Sequence, residues 1–591
     1  MAHTLPRLPI FEAITRHDPN RTAVVHSLSG RSFTYGNLVQ DVVDAKQRLR
    51  QESRGASLEG ERIAFLIENS YDYVVTLLAV IANHGIAVPL SPAFPASELR
   101  YIIDQSQSMM LLSSSKFQSK AEDVVSGDLE LKPIFNMIQK RLEGSANSTP
   151  VALEDCASTS AGMMLYTSGT TSRPKGVLLP LSALTAQCLS LLQAWNYSTT
   201  DRLLHVLPLH HIHGTVNALL TPLFAGSTTE FLFPFSVEAA WSRLAAPFLP
   251  VQTIDHQPKP ALKPKITFFT VVPTIYNRLM LAHPELSEDL QKASREAISP
   301  KNLRLNISGS AALPTPTKAA WTELSGGNVL LERYGMTEVG MALSCGLDNS
   351  DRVDGSVGWP LPFVEARLVD SDTGEVICEG KEVDAQGRER LGEIQLRGPT
   401  VFKEYWRNPD ATESEFTADE DGKGRWFKTG DVAVRRSVDG AGVGKSGDWA
   451  RGKMFFIQGR KSADIIKTGG EKVSALEVER EMLSLPEVAE CAVVALPSGN
   501  WGQKVAAVVV LSEKGKTGGR RGKGWGPMDM RRALKEKLAN YKIPQEMRVV
   551  GHIPRNAMGK INKKELVKEI MDRQLTESLQ RSPRLDPKTE V

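Results

Sequence analysis

The chain of 591 residues has little cysteine: Cys156, Cys188, Cys345, Cys378 and Cys491 are scattered without paired spacing. That excludes a disulfide framework and a cysteine-based zinc site, and it fits a reducing compartment. Charge of one sign is also missing. Lys plus Arg (71) against Asp plus Glu (68) leaves a formal net charge of +3, so charge implies no nucleic-acid partner. No apolar run has the uninterrupted length of a membrane span. The best candidate, residues 73–90, contains Asn83, His84 and Gly85 and reads as a buried helix followed by a strand. The N-terminus has no apolar signal core. Arg7 and Arg16, with Glu12 between them, make a weak presequence, and the final Lys-Thr-Glu-Val is not a peroxisomal tripeptide. These absences predict a cytoplasmic protein, with the mitochondrial matrix as the alternative, without a membrane span and without an evident obligate protein partner.

What is present is ordinary in amount and informative in order. Hydrophobic residues make up 41% and charged residues 24%, as in soluble globular proteins, and the length suffices for several domains. From about Phe11 to Pro360, helical and strand-like segments alternate without a fixed repeat. Residues 74–82 predict a helix, and 86–90 a strand. Ser182 predicts the N-cap of a helix through Trp195, and 266–272 and 303–307 predict buried strands. This is an α/β pattern, with ligands expected at strand ends. After Gly355 short strands with glycine turns take over, as at 397–405 and 427–434. The Gly-rich stretch 439–452 predicts a solvated excursion. Further on, 488–496 and 504–511 alternate as in a small sheet. The basic, Gly-rich segment 514–526 reads as a solvated hairpin loop, and the tail after Arg573 as polar and loosely ordered.

The densest chemistry lies in residues 166–176, YTSGTTSRPKG, directly after the apolar run 163–166. Glycines let backbone approach a ligand, hydroxyls and amides donate hydrogen bonds, and Lys175 adds a positive charge. The combination suits a polyphosphate. It is not a Walker A loop, because no glycine precedes Lys175 and Gly176 follows it. A plain polar hairpin turn is the competing reading of the loop alone.

The loop closely resembles the signature of the adenylate-forming superfamily of acyl-CoA synthetases, peptide-synthetase adenylation domains and luciferases, usually YTSGTTGxPKG. Ser172 stands where that pattern has a glycine. The resemblance implies that Thr167, Ser168, Gly169, Thr170, Thr171 and Lys175 hold the β- and γ-phosphates of ATP. It also implies an α/β fold with a large multi-subdomain N-terminal adenylation domain, 1–459, a small mobile α+β C-terminal domain, 460–575, and a polar tail, 576–591.

Further segments match the same family in order. Residues 308–312, SGSAA, follow a predicted strand, and the resemblance makes Ser310 and Ala311 part of the adenine pocket. In 334–338, YGMTE, the Tyr334 ring can stack on adenine beside Gly335, Thr337 offers a hydroxyl to the α-phosphate, and Glu338 offers a hard oxygen ligand to Mg²⁺. Asp431, in Thr429-Gly430-Asp431, and Arg460 are implied ribose contacts. Residues 459–473, GRKSADIIKTGGEKV, resemble the pivot of the C-terminal domain, with one residue more than the common GRxKD spacing, so the pivot is Ser462 or Ala463. Gly469 and Gly470 suit close approach of a pantetheine chain. In PRNAMGK, 554–560, the implied adenylation lysine is Lys560, a cation that offsets the repulsion between substrate carboxylate and α-phosphate. In PLHHIHG, 208–214, His211 occupies the family's gate beside the acyl pocket. Three histidines on one short loop lack zinc-ligand spacing. The implied partners are ATP, Mg²⁺, coenzyme A and a small carboxylic acid.

Arg333, in LERYGMTE, points to the acid. Most relatives carry a neutral residue before that Tyr-Gly. An arginine at the acyl pocket suits bidentate capture of a second carboxylate, whereas a fatty acid would leave the charge buried and unpaired. Arg333 paired with Glu332 or another acid and facing away is the competing reading. LERYGMTE, DIIKTGG, KVSALEVE and IPRNAMGKI together look like malonyl-CoA synthetases. The expected activity is therefore ATP-dependent ligation of a short dicarboxylic acid, malonate or methylmalonate, to coenzyme A through an acyl-AMP. The alternatives are a medium- or long-chain acyl-CoA ligase, a stand-alone adenylation protein loading a carrier protein, and a nucleotide-binding protein without catalysis.

Overall fold

Ser70 accepts a hydrogen bond from the Tyr73 amide and so starts the helix Tyr71–Ala82, whose every residue is buried. A helix apolar on all sides must be covered on all sides, and here it belongs to the largest core cluster together with strands of two sheets. The computed structural model describes residues 3–145, 149–158, 160–167, 173–249, 263–419, 421–498, 501–519, 523–555 and 561–569.

The first sheet has seven strands, in the order Glu404–Tyr405, Lys175–Pro180, Gly162–Thr167, Ile86–Pro89, Arg62–Leu66, Met110–Ser113 and Ile134–Met137. Its last five strands run parallel, and Lys175–Pro180 is antiparallel to both neighbours. The second has nine, in the order Trp359–Pro360, Gly340–Ser344, Leu331–Met336, Leu305–Ser308, Phe268–Val271, Arg202–His205, Thr228–Phe231, Thr22–His26 and Ser32–Thr34. Its central strands are parallel and short, and Phe268–Val271 and Leu305–Ser308 are buried at every residue, as strands covered on both faces must be. A four-stranded antiparallel sheet follows: Glu365–Asp370, Gly392–Arg397, Phe427–Arg436 and Met454–Arg460. The last sheet joins Glu471–Ser474, Ile465–Thr468, Gly502–Leu511 and Val488–Ser498, with Glu546–Val549 parallel to Gly502–Leu511, and it has its own apolar cluster. This is the expected α/β architecture: a large N-terminal part of several sheets followed by a small α+β unit.

Three local expectations change. Ser182 does not cap its helix: the helix is Leu181–Trp195 with Pro180 at the N-cap, because the preceding strand runs directly into it. Residues 397–405 are mostly a connection, with the strand lying earlier at Gly392–Arg397. In the basic segment Ser512 caps a short helix, Glu513–Thr517, where a loop was expected. The Gly-rich stretch is tied down as well: the Asp351 carboxylate accepts from the Gly442 amide (3.1 Å) and the Ser446 hydroxyl (2.6 Å). No helix among the described residues is long and apolar enough to cross a membrane.

Candidate functional site

The strands Gly162–Thr167 and Lys175–Pro180 form a hairpin with Thr167 opposite Lys175. Ser168, Gly169, Thr170, Thr171 and Ser172 lie outside the described residues, as does Lys560. Lys175 Nζ sits 4.0 Å above the Tyr405 ring, and the Tyr405 hydroxyl donates to Glu338 Oε1 at 2.9 Å. Glu338 is buried in the turn between Leu331–Met336 and Gly340–Ser344, and burial pushes its carboxyl above the usual range. Tyr405 thus joins Lys175, the expected phosphate ligand, to Glu338, the expected metal ligand. It carries no motif, and only the pairing of Glu404–Tyr405 with Val177–Leu178 puts it there.

A second group forms where the four-stranded sheet meets the strand Leu331–Met336. Asp431 stands opposite Arg460 across an antiparallel pair, with its Oδ1 3.0 Å from Arg460 Nε. Its Oδ2 accepts the Tyr334 hydroxyl at 2.6 Å. The Asp431 amide donates to Thr429 Oγ1, whose hydroxyl donates to the Ile394 carbonyl, and Gly430 turns the chain with φ +70°. Burial first, and then the Asp431 charge, holds the Tyr334 hydroxyl protonated. Thr337 lies half-buried between Tyr334 and Glu338. Tyr334, Gly335, Thr337, Glu338, Asp431 and Arg460 therefore share one neighbourhood although two of them come from a later sheet.

The strand Leu305–Ser308 delivers Ser310 and Ala311 to an exposed position at its C-terminal end. Ser310 has φ +67°, a left-handed conformation that serine seldom adopts. Arg333, on the next strand, is 4% exposed and donates from Nη2 to Ser310 Oγ at 3.3 Å. Its Nε has no hydrogen-bond partner, and burial pushes its guanidinium down to about 9, so it stays charged at neutral pH. Glu332 does not pair with it. Strand alternation sends Glu332 to the opposite face, where Lys318 Nζ meets it at 2.8 Å.

His211 is half-buried just before the π-helical segment His213–Leu220, with its ring 4.1 Å from His210. Among the described residues no group of three or more His, Cys, Asp or Glu could hold a metal ion. Gly469 and Gly470 form the turn between Ile465–Thr468 and Glu471–Ser474, both at positive φ (+58° and +87°), as a tight hairpin turn requires. The Trp501 ring lies against Gly469, with a would-be Cβ 2.7 Å from it, and Trp501 is 56% exposed. Sequence reading passed over this tryptophan because a single aromatic in a turn carries no pattern.

Comparison with known proteins gives a consistent picture. The family described as AMP-binding enzyme matches residues 11–406, and the AMP-binding enzyme C-terminal domain matches residues 477–560. A CoA ligase of Gibberella moniliformis is 58% identical over 96% of this chain and 96% of its own. A mitochondrial malonate–CoA ligase of Homo sapiens is 39% identical over 87% of this chain and 84% of its own. Among solved structures, ATP-bound MatB of Rhodopseudomonas palustris matches with a TM-score of 0.75 and 28% identity, over 97% of this chain and 100% of that one.

Proposed function

The chain belongs to the AMP-binding enzyme family and is an acid–thiol ligase, and we propose that the acid it joins to coenzyme A is malonate, with methylmalonate as the nearest competitor. The observation that carries this reading is Arg333: a buried guanidinium with an unpartnered Nε and no carboxylate among the influences on its charge. Leaving such a charge unpaired costs several kcal/mol. A dicarboxylic acid supplies the missing anion in bidentate form, whereas a fatty acid does not. The similarity to a malonate–CoA ligase supports the same acid.

In this reading Tyr334 stacks on adenine against the Ser310–Ala311 backbone, with Gly335 beside it, and Asp431 and Arg460 take the ribose. Thr167, Ser168, Gly169, Thr170, Thr171 and Lys175 hold the β- and γ-phosphates, and Thr337 the α-phosphate. Mg²⁺ takes one or two protein carboxylates and otherwise phosphate and water oxygens. Glu338, buried near Lys175 and, among the described residues, not part of a larger acidic cluster, fits that donor set. Such an ion offsets phosphate charge when bound. His211 gates the acyl pocket, and Gly469 and Gly470 face the pantetheine chain.

A malonate oxygen attacks the α-phosphorus of ATP while the bond to pyrophosphate breaks, giving malonyl-AMP. Lys560 bridges the two anions during that step. The thiolate of coenzyme A then attacks the acyl carbon, and AMP leaves with the electrons of the anhydride bond. We place the boundary between the parts that serve these steps after Gly459. The pivot falls at Ser462 or Ala463, in a turn where the Ala463 and Asp464 amides both donate to the Arg460 carbonyl. The proposed compartment is the cytoplasm, with the mitochondrial matrix as the alternative; the human relative's name carries the word mitochondrial.

The test is coenzyme A-dependent AMP release with malonate, methylmalonate, acetate, octanoate and palmitate in parallel, for wild type and Arg333→Ala. Preference for malonate, lost in the variant, is the expected result. Activity that grows with chain length in both would discard the dicarboxylate pocket.

A further inference from the structure

Arg333 owes its position to four residues from three other parts of the chain. The first is Gly309. A Cβ built there would stand 2.4 Å from both Cζ and Nε of Arg333 and 2.9 Å from Nη1. The guanidinium therefore occupies the space that any other residue's side chain would fill. Gly309 is not in a left-handed conformation, so the need is for room and not for backbone freedom.

The other three form a hydrogen-bonded chain behind Ser310. The Ser310 hydroxyl oxygen accepts from Arg333 Nη2 at 3.3 Å and lies 3.4 Å from His213 Nδ1. His213 Nε2 lies 2.6 Å from Thr270 Oγ1. His213 is 4% exposed and opens the π-helical segment His213–Leu220, an irregularity that often marks a functional position. Burial first, and then the Arg333 charge, keeps this imidazole neutral. One arrangement accounts for all three contacts: Arg333 donates to Ser310, Ser310 donates to Nδ1, and protonated Nε2 donates to Thr270. A neutral histidine thus lets Ser310 present a lone pair to the guanidinium without adding a second positive charge.

We propose that Gly309 and His213 are positioning residues that hold the Arg333 guanidinium, Gly309 by absence of a side chain and His213 by orienting Ser310, so that its charge is fixed where the second carboxylate of the acid binds. The proposal rests on the reading that Arg333 binds that carboxylate.

Steady-state kinetics of Gly309→Ala, His213→Ala, His213→Asn and Arg333→Ala test it, with malonate and ATP varied separately. Losing a charge-assisted hydrogen bond predicts a KM for malonate raised about ten- to a hundredfold in Gly309→Ala and His213→Ala, with kcat at saturation and KM for ATP within about twofold of wild type. His213→Asn keeps an acceptor near the position of Nδ1 and should recover most of the malonate affinity. A double variant guards against misfolding. In Arg333→Lys the space beside Gly309 is freed, so adding Gly309→Ala to it should cost little more. If Arg333→Ala loses malonate but Gly309→Ala and His213→Ala keep it, the positioning roles are overturned and the malonate reading stands. The positioning roles also fail if the added methyl harms Arg333→Lys as much as wild type. If Arg333→Ala itself keeps malonate, both the reading and this inference fall.

Discussion

The hydroxyl of Tyr334 donates to Asp431 at 2.6 Å across 97 positions of sequence, and the same carboxylate faces Arg460. The aromatic face and the carboxylate proposed for adenine and ribose are thus tied together by one hydrogen bond. Pre-organisation of this kind lowers the ordering cost of binding.

Tyr334→Phe keeps the ring and removes the lock. A hydrogen bond to a charged group contributes about 1.5–3 kcal/mol. KM for ATP should rise about tenfold or more while KM for malonate changes little. Initial rates with each substrate varied in turn check this, and an unchanged KM for ATP would show that Asp431 is held well enough by its own turn.

Lys560→Ala should separate the two halves of the reaction. Pyrophosphate exchange into ATP should be nearly abolished, while thioester formation from supplied malonyl-AMP should be largely spared. Equal damage to both halves would remove Lys560 from the special role in adenylation.

Glu338→Gln preserves shape and the acceptor that Tyr405 uses, but removes the negative charge. The Mg²⁺ concentration for half-maximal rate should rise at fixed ATP, and kcat should fall. Because burial pushes the Glu338 carboxyl upward, wild-type activity should also decline on the acid side at a pH above that of an exposed carboxylate, where the ligating anion is lost. Unaltered Mg²⁺ dependence in the variant would rule out the metal role.

His205 is 1% exposed, lies 2.9 Å from the Gly214 carbonyl and has its pKa pushed down to about 4 by burial. Between the ordinary 6.5 and about 4, the unfolded chain binds a proton here that the native state does not. Stability therefore falls as pH falls through that window, by about 1.4 kcal/mol per pH unit from this residue. His205→Gln should be less stable at neutral pH yet show a shallower loss toward about pH 5 in denaturant titrations. An equally steep loss would assign the acid sensitivity to the other buried histidines.

By itself the sequence determined the fold class and singled out the residues for which a nucleotide role is proposed. Each of those signals is local: the hydroxyl- and glycine-rich loop ending at Lys175, the YGMTE run, the TGD turn and the paired glycines at 469 and 470 have their character wherever the chain places them. Buried strands such as Phe268–Val271 and Leu305–Ser308 were legible for the same reason, because unbroken apolar runs can only be covered on both faces. Helix starts were less so, since Ser182 looks like a cap until Pro180 is seen to end the strand before it.

Only the tertiary structure decided which groups meet. Tyr405 reaches Glu338 because a short edge strand pairs beside the hairpin of Gly162–Thr167 and Lys175–Pro180. Gly309 and Ser310 seat Arg333 because Leu305–Ser308 and Leu331–Met336 are parallel neighbours with Ile307 opposite Leu331. Whether Arg333 paired with Glu332 was open in the sequence, and strand alternation decided against it once the register was set, sending Glu332 to Lys318. The physical reason is that register and strand order are chosen by the summed burial of whole sheets, a long-range quantity that no single motif contains.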